Sequence, residues 1–253
     1  MKEEIKIIDK YHVVAQSVKA EIVIEKTTKE FVPLYVLKLP EIEAGTLALL
    51  DNIREKILAE VTIKTAELLE PKAFEELKVK FFERSFELLR RELANENEDL
   101  WELLAGVLVN DMLGLGKIEL LIADGNLEDI VINNAEEPAW VYHKKHGWLE
   151  TNIILDTEEQ ILNYSNIIAR RVGRQITTLT PLLDAHLVTG DRVNAVLYPI
   201  SNKGHTITIR KFARDPWTVT DFITNKTVSS QLMAVIWLSM QYELNVLISG
   251  GTA

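Results

Sequence analysis

The chain has 253 residues, a net charge of −10, 47% hydrophobic and 26% charged residues, and no cysteine. The lack of thiols excludes disulfides, zinc–thiolate sites and cysteine nucleophiles within it, and the acidic balance argues against nucleic acid as a main partner, because neutralising phosphates takes a surplus of Lys and Arg on the binding face. No stretch reaches the roughly 18 uninterrupted apolar residues of a membrane span, and the amino end, with Lys2, Glu3, Glu4 and Lys6, lacks a signal-peptide core, so a cytoplasmic location is expected.

Taken in order, residues 5–37 carry three β-leaning runs, 5–8, 21–24 and 32–37. Pro33 confines the third to a sheet edge or to the start of a strand. These runs read as a small strand-rich cap with no functional signal. From Thr46 the period changes: Leu47, Leu50, Ile53, Ile57, Val61 and Leu68 recur at three- and four-residue steps, the pattern of a core-facing helix. Pro71 ends that helix or opens a second one over 72–93. After the polar break 95–99, a third helix runs over 100–113 and stops at Gly114 and Gly116. Runs 127–132 and 139–143 read as strands, with a turn at 144–147 into 148–150. Thr157 and Gln160 form a capping box that opens a helix reaching Val172, with Ile161, Ile167 and Ile168 inward and Arg170, Arg171 and Arg174 toward its end. Strands and turns at 189–190 and 201–204 make a meander over 183–210. The fold class is therefore α+β.

Arg192 and Arg210 are the candidate chemistry. Strand alternation puts Val193, Ala195 and Leu197 on one face with Ile207 and Ile209, leaving both arginines on the opposite face, one strand apart sideways and offset along the strands. Two readings are open: a guanidinium patch for anionic oxygens, or arginines each paired with a local carboxylate, Asp184 or Asp191. Asp184 and His186 alternate along one strand with no nucleophile beside them, and read as a structural contact. His12, His143, His146 and His205 lack metal-ligand spacing, so no metal site is expected. Trp217 and Trp237 are expected in the core rather than on a purine.

Residues 215–221 read as a linker. A helix capped at Ser229–Ser230 then leads into the buried-looking strand 246–248 and a glycine pair, which is how a phosphate-binding loop begins. Gly250, Gly251, Thr252 and Ala253 are the candidate nucleotide-binding residues, and the lysine and hydroxyl of such a loop would follow Ala253.

The run Leu-Leu-Asp-Ala-His-Leu-x-x-Gly-x-Arg-Val-Asn-Ala-Val at 182–196, with Thr-Ile-x-Ile-Arg-Lys-Phe at 206–212, Pro-Trp-Thr at 216–218 and Asn-Val-Leu-Ile-Ser-Gly-Gly-Thr-Ala at 245–253, resembles the type II/type IV secretion ATPase superfamily. The resemblance covers 114–253, and the earlier segment looks closer to archaeal members. It implies a strand-containing and helical subdomain at 1–113, a PAS-like α+β domain at 114–213, and a linker with the start of a RecA-like ATPase domain at 214–253. It further implies a homo-hexamer, ATP with Mg²⁺ in the full-length protein, Arg192 and Arg210 reaching the phosphates, and an inner-membrane platform protein as partner, with the enzyme peripheral to the inner face of the membrane. The truncated chain itself is expected to be inactive. The competing expectation is a stand-alone sensory or adaptor domain.

Overall fold

The computed structural model describes residues 5–27, 31–40, 42–60, 70–187, 189–212 and 217–250. It falls into two compact units, Met1–Phe212 and Ala213–Ala253.

The first unit is α+β, built on a nine-stranded sheet of order β1-β2-β3-β6-β5-β4-β9-β8-β7. Its strands are β1 (Lys6–Ala15), β2 (Val18–Lys26), β3 (Leu34–Lys38), β4 (Leu127–Ile132), β5 (Trp140–His143), β6 (Gly147–Thr151), β7 (Leu182–His186), β8 (Arg192–Val196) and β9 (Thr206–Arg210). The amino-terminal strands are not a separate cap. β1 and β2 form a long hairpin turned at Gln16 and Ser17, both with positive φ, and β3 continues the ladder from β2. Pro33 sits just ahead of β3, where its missing N–H costs nothing, and its carbonyl accepts from the Glu150 amide.

All strand pairs are antiparallel except β3 with β6, which share only Leu34↔Glu150 and Tyr35↔Thr151. So short a ladder would be weak alone. The Asn152 side chain extends it, accepting from the Leu37 amide at 2.8 Å and donating to the Leu37 carbonyl at 3.0 Å, as a further backbone residue would. One core therefore runs under the whole sheet, from Ile22, Ile24 and Tyr35 to Val193, Ile207 and Ile209, closed by α4 (Ile118–Ala123) and α5 (Glu158–Arg171).

A second apolar cluster lies among α1 (Ala44–Glu60), α2 (Pro71–Glu92) and α3 (Glu98–Leu113), with Ile53, Ile57, Phe81, Leu89, Leu104 and Leu108 fully buried. Pro71 occupies the first turn of α2, where no N–H is needed, and Asn97 caps α3 by accepting from the Leu100 amide. Positions 61–69, which include Val61 and Leu68, lie outside the described residues. Arg171 of α5 ties the layers together: it donates to the Leu113 carbonyl at 2.8 Å, lies 3.5 Å from Glu119 and stacks 5.0 Å over the Phe74 ring. The capping box at α5 is displaced by one residue, since Thr157 accepts from the Gln160 amide while Gln160 accepts from the Asp156 amide rather than from Thr157.

The second unit holds α6 (Val219–Thr224) and α7 (Ser230–Gln241). The stretch expected to be a linker thus turns helical at Val219. Thr218 and Asp221 form a reciprocal capping box that the sequence reading passed over. Residues 246–248, expected as a strand, have no strand pairing; a strand exists by bonding to a neighbour, and the described part of this unit contains none. Trp217 is 58% and Trp237 70% exposed, so neither is a core aromatic; Trp217 instead rests against Phe222, with ring centroids 5.5 Å apart.

Candidate functional site

Because side chains alternate along a strand, the register of the six strands β4–β9 fixes two rows of cross-strand partners that differ by one residue. One row, Leu149–Val141–Ile130–Ile209–Val193–Ala185, is buried. The adjacent row, Trp148–Tyr142–Asp129–Arg210–Arg192–His186, lies on the other face. Arg192 and Arg210 are direct partners in that row. The offset along the strands expected from the sequence is absent, and the two cations stand opposite each other.

Like charges directly opposed on a sheet are unfavourable unless compensated, and here each guanidinium has a carboxylate. Arg192 grips Asp184 with a two-pronged contact, Nε to Oδ1 at 3.0 Å and Nη2 to Oδ2 at 2.8 Å. Arg210 Nε donates to Asp129 Oδ1 at 3.0 Å. The first pair lies along the diagonal between β7 and β8, the second directly across β4 and β9. The Arg192 fork holds the Asp184 carboxyl below its usual range, and Asp184 in turn raises the Arg192 guanidinium. Both arginines remain exposed, 52% and 72%. Arg174, expected at the end of α5 to suit the helix dipole, donates instead to the Asp184 main-chain carbonyl, and its charge also bears on Asp184. This corner of the sheet therefore brings two guanidiniums, Arg192 and Arg174, to Asp184, while Arg210 is held by Asp129. Exposed ion pairs contribute little and are readily exchanged, so an incoming phosphate or carboxylate can take over the guanidinium forks.

Asp191, the other proposed partner, is not available to either arginine. It is buried, accepts from the Phe212 amide at 2.7 Å and from Thr189 Oγ1 at 2.6 Å, and so locks the β7–β8 turn to the chain leaving β9. Gly190 in that turn has φ +89°, with Phe212 packed against it. Asp129 was missed by sequence reasoning because its contact with Arg210 spans 81 residues. Tyr142 and Trp148, packed edge to face at 5.3 Å, add an aromatic end to the same row.

Gly250 lies in the second unit with open space where a Cβ would sit, and Gly251, Thr252 and Ala253 lie outside the described residues. His143 and His146 do approach each other, at 4.7 Å between rings, in a buried polar knot below the β5–β6 turn. There Tyr11 and Tyr35 both donate to the buried Asp124 carboxylate, at 2.7 and 2.8 Å, and His146 meets Asp9 at 3.3 Å. This knot pins β1 and β3 to the loop after α4. Among the described residues no group of three or more His, Asp or Glu converges as a metal site would require, and no helix is long and apolar enough to cross a membrane.

The fold and face define an α+β protein with an open, arginine-bearing sheet surface. No known protein-family profile matches the chain. Over 195 residues it is 30% identical to the uncharacterized protein MJ1288 of Methanocaldococcus jannaschii, an alignment that covers 77% of this chain and 75% of that protein, and the chain belongs to the same family. It is also 39% identical over 143 residues to the uncharacterized protein MJ0781 and 33% identical over 174 residues to the uncharacterized protein MJ0900 of the same organism. These alignments cover 54% and 68% of this chain but only 20% and 31% of the relatives' lengths. Among solved structures, the sulphate-bound VirB11 ATPase of the Brucella suis type IV secretion system superposes with a TM-score of 0.36 and 18% identity, over 47% of this chain and 40% of that one. A superposition that loose carries neither fold nor function across.

Proposed function

We propose that this chain is the amino-terminal regulatory part of a hexameric ATPase that powers type II/IV secretion or assembly of a type IV pilus-like filament. In this reading Arg192 and Arg210 are offered to the phosphates of ATP held by a following motor domain, whose phosphate loop begins at Gly250–Ala253. The observation that carries it is the direct opposition of two exposed arginines on an uncovered sheet face. A protein gains nothing in stability from facing two cations together, whereas a polyphosphate is the kind of ligand that such a pair neutralises. The motif resemblance at 182–196, 206–212 and 245–253 supports the same reading.

The chemistry required of these residues is modest. Phosphoryl transfer is catalysed mainly by positioning and by charge neutralisation, and an arginine borrowed from a second domain links hydrolysis to domain movement. Mg²⁺, when bound, would add charge neutralisation at the phosphates; in this proposal the residues that would hold it belong to the motor domain. Asp184 and Asp129 hold the guanidiniums in place until the nucleotide replaces them. The homo-hexamer, the platform-protein contact and the location at the inner face of the membrane belong to the same proposal.

The test is steady-state hydrolysis by the full-length protein. Arg192→Ala and Arg210→Ala are each expected to lower turnover by about 10³–10⁵ while the circular dichroism and melting of the protein stay near wild type. Hydrolysis close to wild type in both variants would leave the arginines as sheet-surface ion pairs and nothing more.

A further inference from the structure

The same unit holds a concave site that the reading above does not use. It is a cleft of about 790 Å³ between α1, α3 and α5, within the range of small-molecule sites. Its charged lining is three cations, Arg54, Lys117 and Arg170, against two carboxylates, Asp111 and Asp156, an inversion of the chain's acidic balance. Arg54 is already engaged, with Asp51 at 3.1 Å and Asp111 at 3.7 Å. Lys117 and Arg170 have no ion-pair partner among the described residues. The floor is built closely: Gly116 has φ +56°, and a Cβ there would stand 2.7 Å from Tyr164 Oη and 3.3 Å from Asp111 Oδ1. The remaining wall combines amides, Gln160, Asn163 and Asn166, with apolar side chains such as Leu58 and Ile167.

We propose that this cleft binds a small phosphate ester, with Lys117 and Arg170 taking the phosphate and the α5 amides and apolar wall taking the organic part. Two cations that are not in an ion pair among the described residues match a dianionic head group, and mixed amide and apolar walls are what a bare inorganic ion would not need. The cleft touches α1 and α3 of the helical layer and α5 of the sheet layer, so its ligand would bridge the two cores.

The experiment is a titration of the ¹⁵N-labelled chain with glycerol 3-phosphate and, separately, inorganic phosphate, at constant pH and ionic strength. Saturable amide shifts are expected at Gly116, Lys117, Asn163 and Asn166, with the ester binding more tightly than the ion. Lys117→Gln combined with Arg170→Gln should weaken the ester by about tenfold or more, while Arg192→Gln combined with Arg210→Gln should leave it unchanged. Shifts confined to β8 and β9, no saturable shift by about 10 mM, inorganic phosphate binding as tightly as the ester, or wild-type affinity in the Lys117/Arg170 variant would each overturn the assignment. Because the two arginine pairs are varied separately, failure here leaves the open sheet face untouched, and the reverse.

Discussion

The two faces of strands β4–β9 are made from alternate residues of the same strands, yet they do opposite things. One row of partners, Ile130 and Ile209 at its centre, is dry and shared with the core beneath α5. The row next to it, shifted by a single residue, opposes two arginines in the open. A shift of one position in register would exchange the two faces, so the burial of the first is what fixes the exposure and pairing of the second. Core packing is thereby the positioning device for the guanidiniums.

That contrast can be broken from its dry side first. Ile130→Ala or Ile209→Ala, each at a fully buried position, should cost about 2–5 kcal/mol in urea unfolding. A loss under about 1 kcal/mol would mean that the apolar row does not hold the register. A somewhat smaller loss is expected where the helical layer meets the hairpin: a Cβ at Gly106 would overlap the Gln16 carbonyl oxygen and come 2.9 Å from Val18 Cγ2, so Gly106→Ala should destabilise by about 1–3 kcal/mol. On the open face, Thr208→Ala, two residues from Arg210, should change stability by no more than about 0.5 kcal/mol. A large effect there would mean that this face is covered.

The smallest effects sharpen the comparison by sign. The Arg192 fork lowers the Asp184 carboxyl, so its contribution to stability is present above the unfolded value and is lost as pH falls through the folded one. Asp111 behaves in the opposite way. Although 42% of its side chain is accessible, that access is to the cleft, and the surrounding protein raises its carboxyl despite Arg54 and Lys117. Its contribution is present below the unfolded value and lost as pH rises through the folded one. Asp184→Asn should therefore lower the melting temperature slightly at pH 7, and Asp111→Asn should raise it; the Asp111 difference vanishes once pH is below the unfolded carboxyl value, and the Asp184 difference only once pH is below its lowered folded value. The same sign for both would contradict the assigned causes.

Much of this was legible in local pattern. The strands β4 to β6, the turn at Gly147, helix α5 and the meander β7–β9 follow from period and punctuation alone, and alternation alone put Arg192 and Arg210 on one face. What sequence could not supply was pairing at a distance. Nothing near Arg210 points to Asp129, and nothing in 5–37 says that β3 will meet β6 through an asparagine side chain. The offset assigned to the arginines failed for the same reason, since register is set by the whole ladder and not by the two strands read singly. Trp217 and Trp237 are exposed against expectation, because an aromatic side chain is buried only where a partner surface meets it.

The central claim is that the opposed arginines are held by carboxylates until a triphosphate claims them. A structure of the full-length protein with a non-hydrolysable ATP analogue tests it most directly. The account predicts both guanidiniums released from Asp184 and Asp129 and within about 3 Å of phosphate oxygens. Nucleotide bound with both arginines still on those carboxylates would contradict it.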